Sequence, residues 1–65
     1  MSRTVLDVAR VNISVIKRGV RNASSWTHNG IRDSVLRELE RVGVAHTTAR
    51  NIGYQVANIL GLPKW

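Results

Sequence analysis

The chain contains no cysteine. A disulfide and a thiolate zinc site are therefore both excluded, and two histidines alone make a poor metal-ligand set. No apolar run approaches the roughly 18–20 residues needed to cross a bilayer. The first residues also lack the uninterrupted apolar core of a secretory signal. We therefore expect a cytoplasmic protein.

Acidic residues are scarce. Four Asp and Glu stand against ten Lys and Arg, which gives a net charge of +6, and no acid follows Glu40. Eight of the ten cations are Arg, whose planar fork suits phosphate. This balance favours a polyanionic partner such as DNA, RNA or an anionic membrane surface. A basic protein without such a partner is the alternative.

Sixty-five residues allow one small domain, spanning 1–65. A chain of this size has a thin hydrophobic core, and without disulfides or metal it usually needs another source of stability. We therefore expect a homodimer or a subunit of a larger assembly.

Residues 2–21 are predicted to form the first helix. An apolar stripe recurs at three- and four-residue steps, and the opposite stripe is polar and mostly cationic. The apolar stripe consists of Val5, Ala9, Ile13, Ile16 and Val20. Residues 10–16 also fit a strand, because β-branched residues alternate with polar ones there. We favour the helix; the strand would instead give a dimer of ribbon and helices.

Residues 22–30 form the only loop-like stretch. The pair Asn29–Gly30 predicts a turn, and Thr27 or Asn29 is suited to cap the next helix. Trp26 in this polar stretch either packs over the edge of the core or anchors a partner.

Two further helices are predicted, over residues 31–42 and 47–60. The first has an apolar face of Ile31, Val35, Leu39 and Val42, and a charged face, including Glu38 and Glu40, that we expect to be solvated. The second begins at His46 or Thr47, and its expected buried side is Ala49, Ile52, Val56, Ile59 and Leu60. Gly43 and Gly61 are predicted to end these helices.

Residues 35–54 resemble the helix-turn-helix of DNA-binding proteins. Gly43 takes the place of the turn glycine, with Val42 before it and Val44 after it, and Ala49 and Ile52 take buried positions of the second helix. One position departs from the pattern: Leu39 stands where a small residue is usual. The resemblance implies an all-α, three-helix domain with a helix-turn-helix between helices 2 and 3, which would dock helix 3 in the major groove, as a dimer.

The same resemblance implies the DNA-contacting residues. Those expected near base edges are His46, Thr47, Thr48, Arg50, Asn51 and Gln55. Phosphate contacts are expected from Arg10, Lys17, Arg18 and Arg21. The alternatives are helix capping by the two threonines and solvated polar faces for the rest.

Partner contacts are expected from Trp26, Tyr54 and Trp65, and from the apolar stretch 52–62. Catalysis has little support. Ser25, His28 and Asp33 could be drawn as a triad, but turn and capping roles explain them better. The chain also lacks a glycine-rich phosphate loop. We expect no enzyme, no cofactor and no metal site.

The leading hypothesis is a small DNA-binding protein of the kind phages and plasmids encode, acting as a transcriptional regulator or an accessory factor of a mobile element. One alternative is a protein-interaction module, either a phage-encoded inhibitor of a host protein or a small subunit of a larger assembly. A membrane-surface protein that uses the basic amphipathic residues 2–21 is a third hypothesis.

Overall fold

The structure, a computed structural model, describes residues 3–62, which form four helices and no strand. They are α1 (Arg3–Val11), α2 (Ile13–Arg21), α3 (His28–Arg41) and α4 (His46–Ile59). The prediction of an all-α fold is confirmed. The prediction of three helices is wrong, and so is the strand alternative for residues 10–16.

The first predicted helix is divided at Asn12. Its backbone leaves the helical region (φ −108°, ψ 27°), and its side-chain Nδ2 donates to the Val8 carbonyl at 2.8 Å. Asparagine side chains compete in this way for carbonyls that a helix would otherwise use. The Ile16 N–H still bonds the Asn12 carbonyl at 3.0 Å, so helical hydrogen bonding resumes directly after the interruption. One consequence is that Ile13, expected on the apolar stripe, is exposed.

The core is built from α2, α3 and α4. Its buried hydrophobic side chains are Val15, Ile16, Ile31, Val35, Leu39, Ala49, Ile52 and Ala57. Helices α2 and α3 approach closely at Gly19, where an added Cβ would lie 2.8 Å from the Cα of Val35. The Ser34 hydroxyl donates to the Gly19 carbonyl at 2.6 Å, which satisfies an acceptor in the last turn of α2.

Helix α3 begins three residues earlier than predicted. Thr27 is its N-cap, and its Oγ1 accepts from the Gly30 N–H at 3.1 Å. The predicted capping role of Thr27 is therefore confirmed. The turn predicted at Asn29–Gly30 is wrong, because both residues lie in the first turn of the helix.

Gly43 ends α3 as predicted. Its φ is +95°, its N–H bonds the Glu40 carbonyl, and the Val44 N–H bonds the Leu39 carbonyl, both at 3.0 Å. This is the Schellman arrangement, which needs a left-handed residue at the glycine position. Val42, predicted on the apolar face, is exposed at the cap instead.

Helices α3 and α4 form an antiparallel pair that stays in contact far from the connecting residues 42–45. Near mid-length, a Cβ on Gly53 would lie 2.6 Å from the Arg32 carbonyl oxygen. At the far ends, His28 Nε2 lies 2.9 Å from Asn58 Oδ1. A helix-turn-helix spreads its two helices at about 90–120°. These contacts describe a helical hairpin, and the helix-turn-helix implied by the resemblance is not confirmed.

Two residues predicted on the buried side of α4, at its C-terminal end, are exposed. Gly61 has a φ of +66° and ends the helix as expected, but Ile59 is 78% exposed and Leu60 is also exposed. Neither side chain reaches the core. No helix in residues 3–62 combines the length and apolar character needed to span a bilayer.

Candidate nucleic-acid interface on α4

The solvent-facing side of α4 carries several of the residues that are predicted to contact DNA. At about 100° per residue, positions 47, 50, 51 and 54 fall along one side of the helix. Thr47, Arg50, Asn51 and Tyr54 are all exposed there, and we call them the outer face of α4. The opposite side packs into the core through Ala49, Ile52, Gly53 and Ala57. No acidic residue occurs within α4.

Three residues of the outer face surround a shallow recess of about 230 Å³, namely Arg50, Asn51 and Tyr54. This places a guanidinium, an amide and an aromatic hydroxyl side by side. Guanidinium and amide groups can form bidentate hydrogen bonds with guanine and adenine, respectively.

The Tyr54 ring is supported from within the protein. It meets the His28 ring edge to face, with centroids 4.9 Å apart and planes at 76°. His28 is only 3% exposed, and its Nε2–H donates to Asn58 Oδ1. An aromatic side chain held in this way loses little further conformational freedom on binding a ligand.

The supporting role of His28 was missed from the sequence. The sequence pattern indicates for His28 only a turn or capping role, or a place in a hypothetical triad. Its spacing to Ile31 and Val35 continues the apolar stripe of α3 by one turn toward the N-terminus, and that spacing was the available signal.

The N-terminal end of α4 is less suited to contact a phosphate than expected. His46 begins the helix and is exposed, and its Nδ1 lies 3.4 Å from Glu40 Oε2. The N-cap is Ala45, which makes no side-chain capping bond, so the alternative in which Thr47 and Thr48 cap the helix is wrong. Thr48 is half-buried, and the nearby carboxylate of Glu40 would repel a phosphate.

Two of the expected phosphate-binding cations, Lys17 and Arg21, lie away from Arg50 and Asn51. Arg10, Lys17, Arg18 and Arg21 are all exposed, but they lie on α1 and α2. Lys17 and Arg21 flank the C-terminal end of α4, beside Val56 and Ile59. Ile59 is nine residues beyond Arg50, roughly 14 Å along the helix axis. Gln55 is half-buried at the side of the outer face.

Arg18 has an acidic neighbour. Its Nη1 lies 3.8 Å from Glu38 Oε1, and Arg41 Nη1 lies 3.3 Å from Glu38 Oε2. Glu38 itself is only 7% exposed, so its prediction as part of a solvated face is wrong. Because the Glu38 carboxylate offsets part of the positive charge of Arg18, Arg18 attracts phosphate less than Lys17 and Arg21 do.

The expected partner residues lie on different segments of the chain. Trp26 is exposed in the loop before α3, so it does not pack over the core edge, whereas Tyr54 lies on α4. Trp65 lies outside the described residues.

The side chains of the hypothetical triad point to separate partners. Ser25 Oγ lies 3.3 Å from Thr27 Oγ1, Asp33 accepts from Arg32 Nε at 3.1 Å, and His28 is bonded to Asn58. The structure therefore does not bring Ser25, His28 and Asp33 together as one site.

No protein-family model matches the chain, and comparisons with curated proteins and with solved structures give no significant match.

Proposed function

We propose that this protein binds duplex DNA through the outer face of α4. The observation that carries the proposal is the exposed, acid-free run of Thr47, Arg50, Asn51 and Tyr54 on one side of a helix, in a chain of net charge +6. The major groove is about 12 Å wide and admits a single α-helix.

The proposal does not depend on a wide helix-turn-helix corner. Helix α4 packs into the core through its inner side, and its outer face is exposed to solvent along about two turns. Direct readout would come from Arg50 and Asn51, with Thr47 at a phosphate or a base edge. A regulatory role in a mobile element and action as a dimer both stay predictions.

The test is a titration of fluorescent duplexes with the full chain at several salt concentrations. Sites are first selected from a randomised duplex pool, and a random duplex serves as the reference. Binding should weaken steeply with salt, because each neutralised phosphate contributes a slope of about −0.9 to log K against log [salt].

Two matched variants separate specific contacts from net charge. Arg50→Ala and Arg37→Ala each remove one exposed arginine from a helix, on α4 and on α3 respectively. Loss of a base contact costs about 1–3 kcal/mol, so Arg50→Ala should weaken the selected site roughly 5- to 150-fold. Arg37→Ala should change affinity by only about twofold. Equal losses would reduce the interaction to non-specific charge attraction, and no salt-dependent binding would refute the proposal.

A further inference from the structure

A second exposed surface lies at the other end of the molecule, between α2 and the C-terminal end of α4. It is an open groove of about 390 Å³. It is lined by Ile16, Lys17, Val20, Arg21, Val56, Ile59 and Leu60. We call it the α2–α4 groove. Five of its seven residues are aliphatic and two are cations.

The apolar part of this groove is not covered by the described chain. Ile59 is 78% exposed, and Leu60 continues the same surface at the end of α4. Single exposed aliphatic residues are ordinary on protein surfaces, but a contiguous apolar depression between two helices is characteristic of a binding site. Grooves of this form receive the apolar side of an amphipathic helix.

The charge beside the groove restricts the kind of partner. Lys17 and Arg21 are exposed, and neither belongs to an ion pair among residues 3–62. Helix α4 adds no acid to this surface. A second copy of the chain related by two-fold symmetry would bring the same two cations toward their own counterparts, and each copy carries +6. Repulsion between like charges disfavours such a homodimer interface, whereas a partner that carries carboxylates beside the groove would be attracted.

We propose that the α2–α4 groove docks an amphipathic helix of a partner protein, which presents apolar side chains at three- and four-residue spacing and carboxylates beside them. The apolar side chains would occupy the space next to Val20, Val56 and Ile59, and the carboxylates would pair with Lys17 and Arg21.

This surface is separate from the proposed DNA-binding face. Val56 follows Tyr54 by two residues, about 200° around the helix, so it points nearly opposite to the outer face. Either proposal can fail without the other.

The experiment uses a displayed library of helical peptides as the probe. Leucine is fixed at positions i, i+4 and i+7, and the flanking positions are drawn equally from Glu, Lys and Gln. Peptides recovered on the full chain are expected to be enriched at least tenfold in Glu over Lys at positions next to the leucines. The affinity of the recovered peptides is then measured by fluorescence anisotropy, with leucine-to-alanine versions as the reference.

Protein variants locate the binding surface. Ile59→Glu places a carboxylate in the groove and should weaken the best peptide at least tenfold. Val11→Glu makes the same change at another highly exposed aliphatic residue, on α1, and should leave binding unchanged. The double variant Lys17→Glu with Arg21→Glu should reverse the preference from Glu-bearing to Lys-bearing peptides. Circular dichroism confirms that each variant keeps its helices.

Three results would overturn the proposal. The first is the absence of peptide binding, and the second is equal recovery of Glu- and Lys-bearing peptides. The third is a dimer in sedimentation equilibrium that Ile59→Glu dissociates, which would assign the groove to a second copy of the chain.

Discussion

Gly53→Ala is the substitution that most directly tests the packing of α3 against α4. In an exposed helix interior, replacing Gly by Ala stabilises by about 1 kcal/mol through backbone entropy. At Gly53 the new Cβ would lie 2.6 Å from the Arg32 carbonyl oxygen. That distance is roughly 1 Å short of the ~3.5 Å at which non-bonded atoms attract most strongly, so the two helices would have to separate.

The expected outcome is a net loss of stability. Overpacking of a core costs about 1–3 kcal/mol, and the upper part of that range applies here because the clashing atom belongs to the backbone of Arg32. After subtraction of the helix-propensity gain, we expect Gly53→Ala to destabilise by about 1–2 kcal/mol. For a domain of this size the melting temperature should fall by about 5–15 °C. The assay is urea and thermal unfolding followed by helical circular dichroism.

An exposed position on the same helix provides the control. Asn51→Ala should be more stable than Asn51→Gly by about 1 kcal/mol, because Asn51 is exposed and the comparison reports mainly helix propensity. A Gly53→Ala protein as stable as the wild type, or more so, would refute the close approach of α4 to α3.

Two further predictions concern α3. Thr27→Ala removes the N-cap and should cost about 1 kcal/mol, seen as a melting temperature lower by about 4–8 °C; Thr47→Ala, which removes no cap, should leave it nearly unchanged. Glu38→Gln should change stability by less than about 1 kcal/mol, because the lost pairs with the exposed Arg18 and Arg41 are offset by the easier burial of a neutral amide. The same variant has a net charge one unit more positive, so duplex affinity at low salt should rise; unchanged or weaker binding would count against a role for this charge cluster.

The parts of the fold that were predictable from sequence are those fixed by local chemistry. Gly43 and Gly61 ended their helices because a left-handed residue is needed there, and Thr27 capped α3 because a hydroxyl can satisfy a free N–H. Ile31, Val35 and Leu39 were placed in the core by their spacing alone.

The sequence predictions that are wrong concern residues whose structure depends on contacts with other parts of the fold. At Asn12 the helix is interrupted and the side chain bonds the Val8 carbonyl, a local contact that hydrophobic periodicity does not encode. The pair Asn29–Gly30 favours a turn by local propensity. However, Thr27 caps α3, and both residues lie in the first turn of that helix. Ile59 has the spacing of a core residue, but its side chain lies at the open groove beside α2, where no described residue covers it.

The candidate interface was only partly predictable. Exposure of Arg50 and Asn51 follows from their position opposite Ala49 and Ile52, and the structure agrees. The separation of Lys17 and Arg21 from them could not be foreseen, since it depends on which end of α4 lies beside α2.

Asn12 separates the part of the chain that supplies the buried core from a part that packs against it. All eight buried hydrophobic residues lie on the C-terminal side of that asparagine, and α1 contributes none of them. The first helix instead packs against this core through the partly buried side chains of Val5, Val8 and Ala9. A three-helix unit does exist within this chain, composed of α2, α3 and α4.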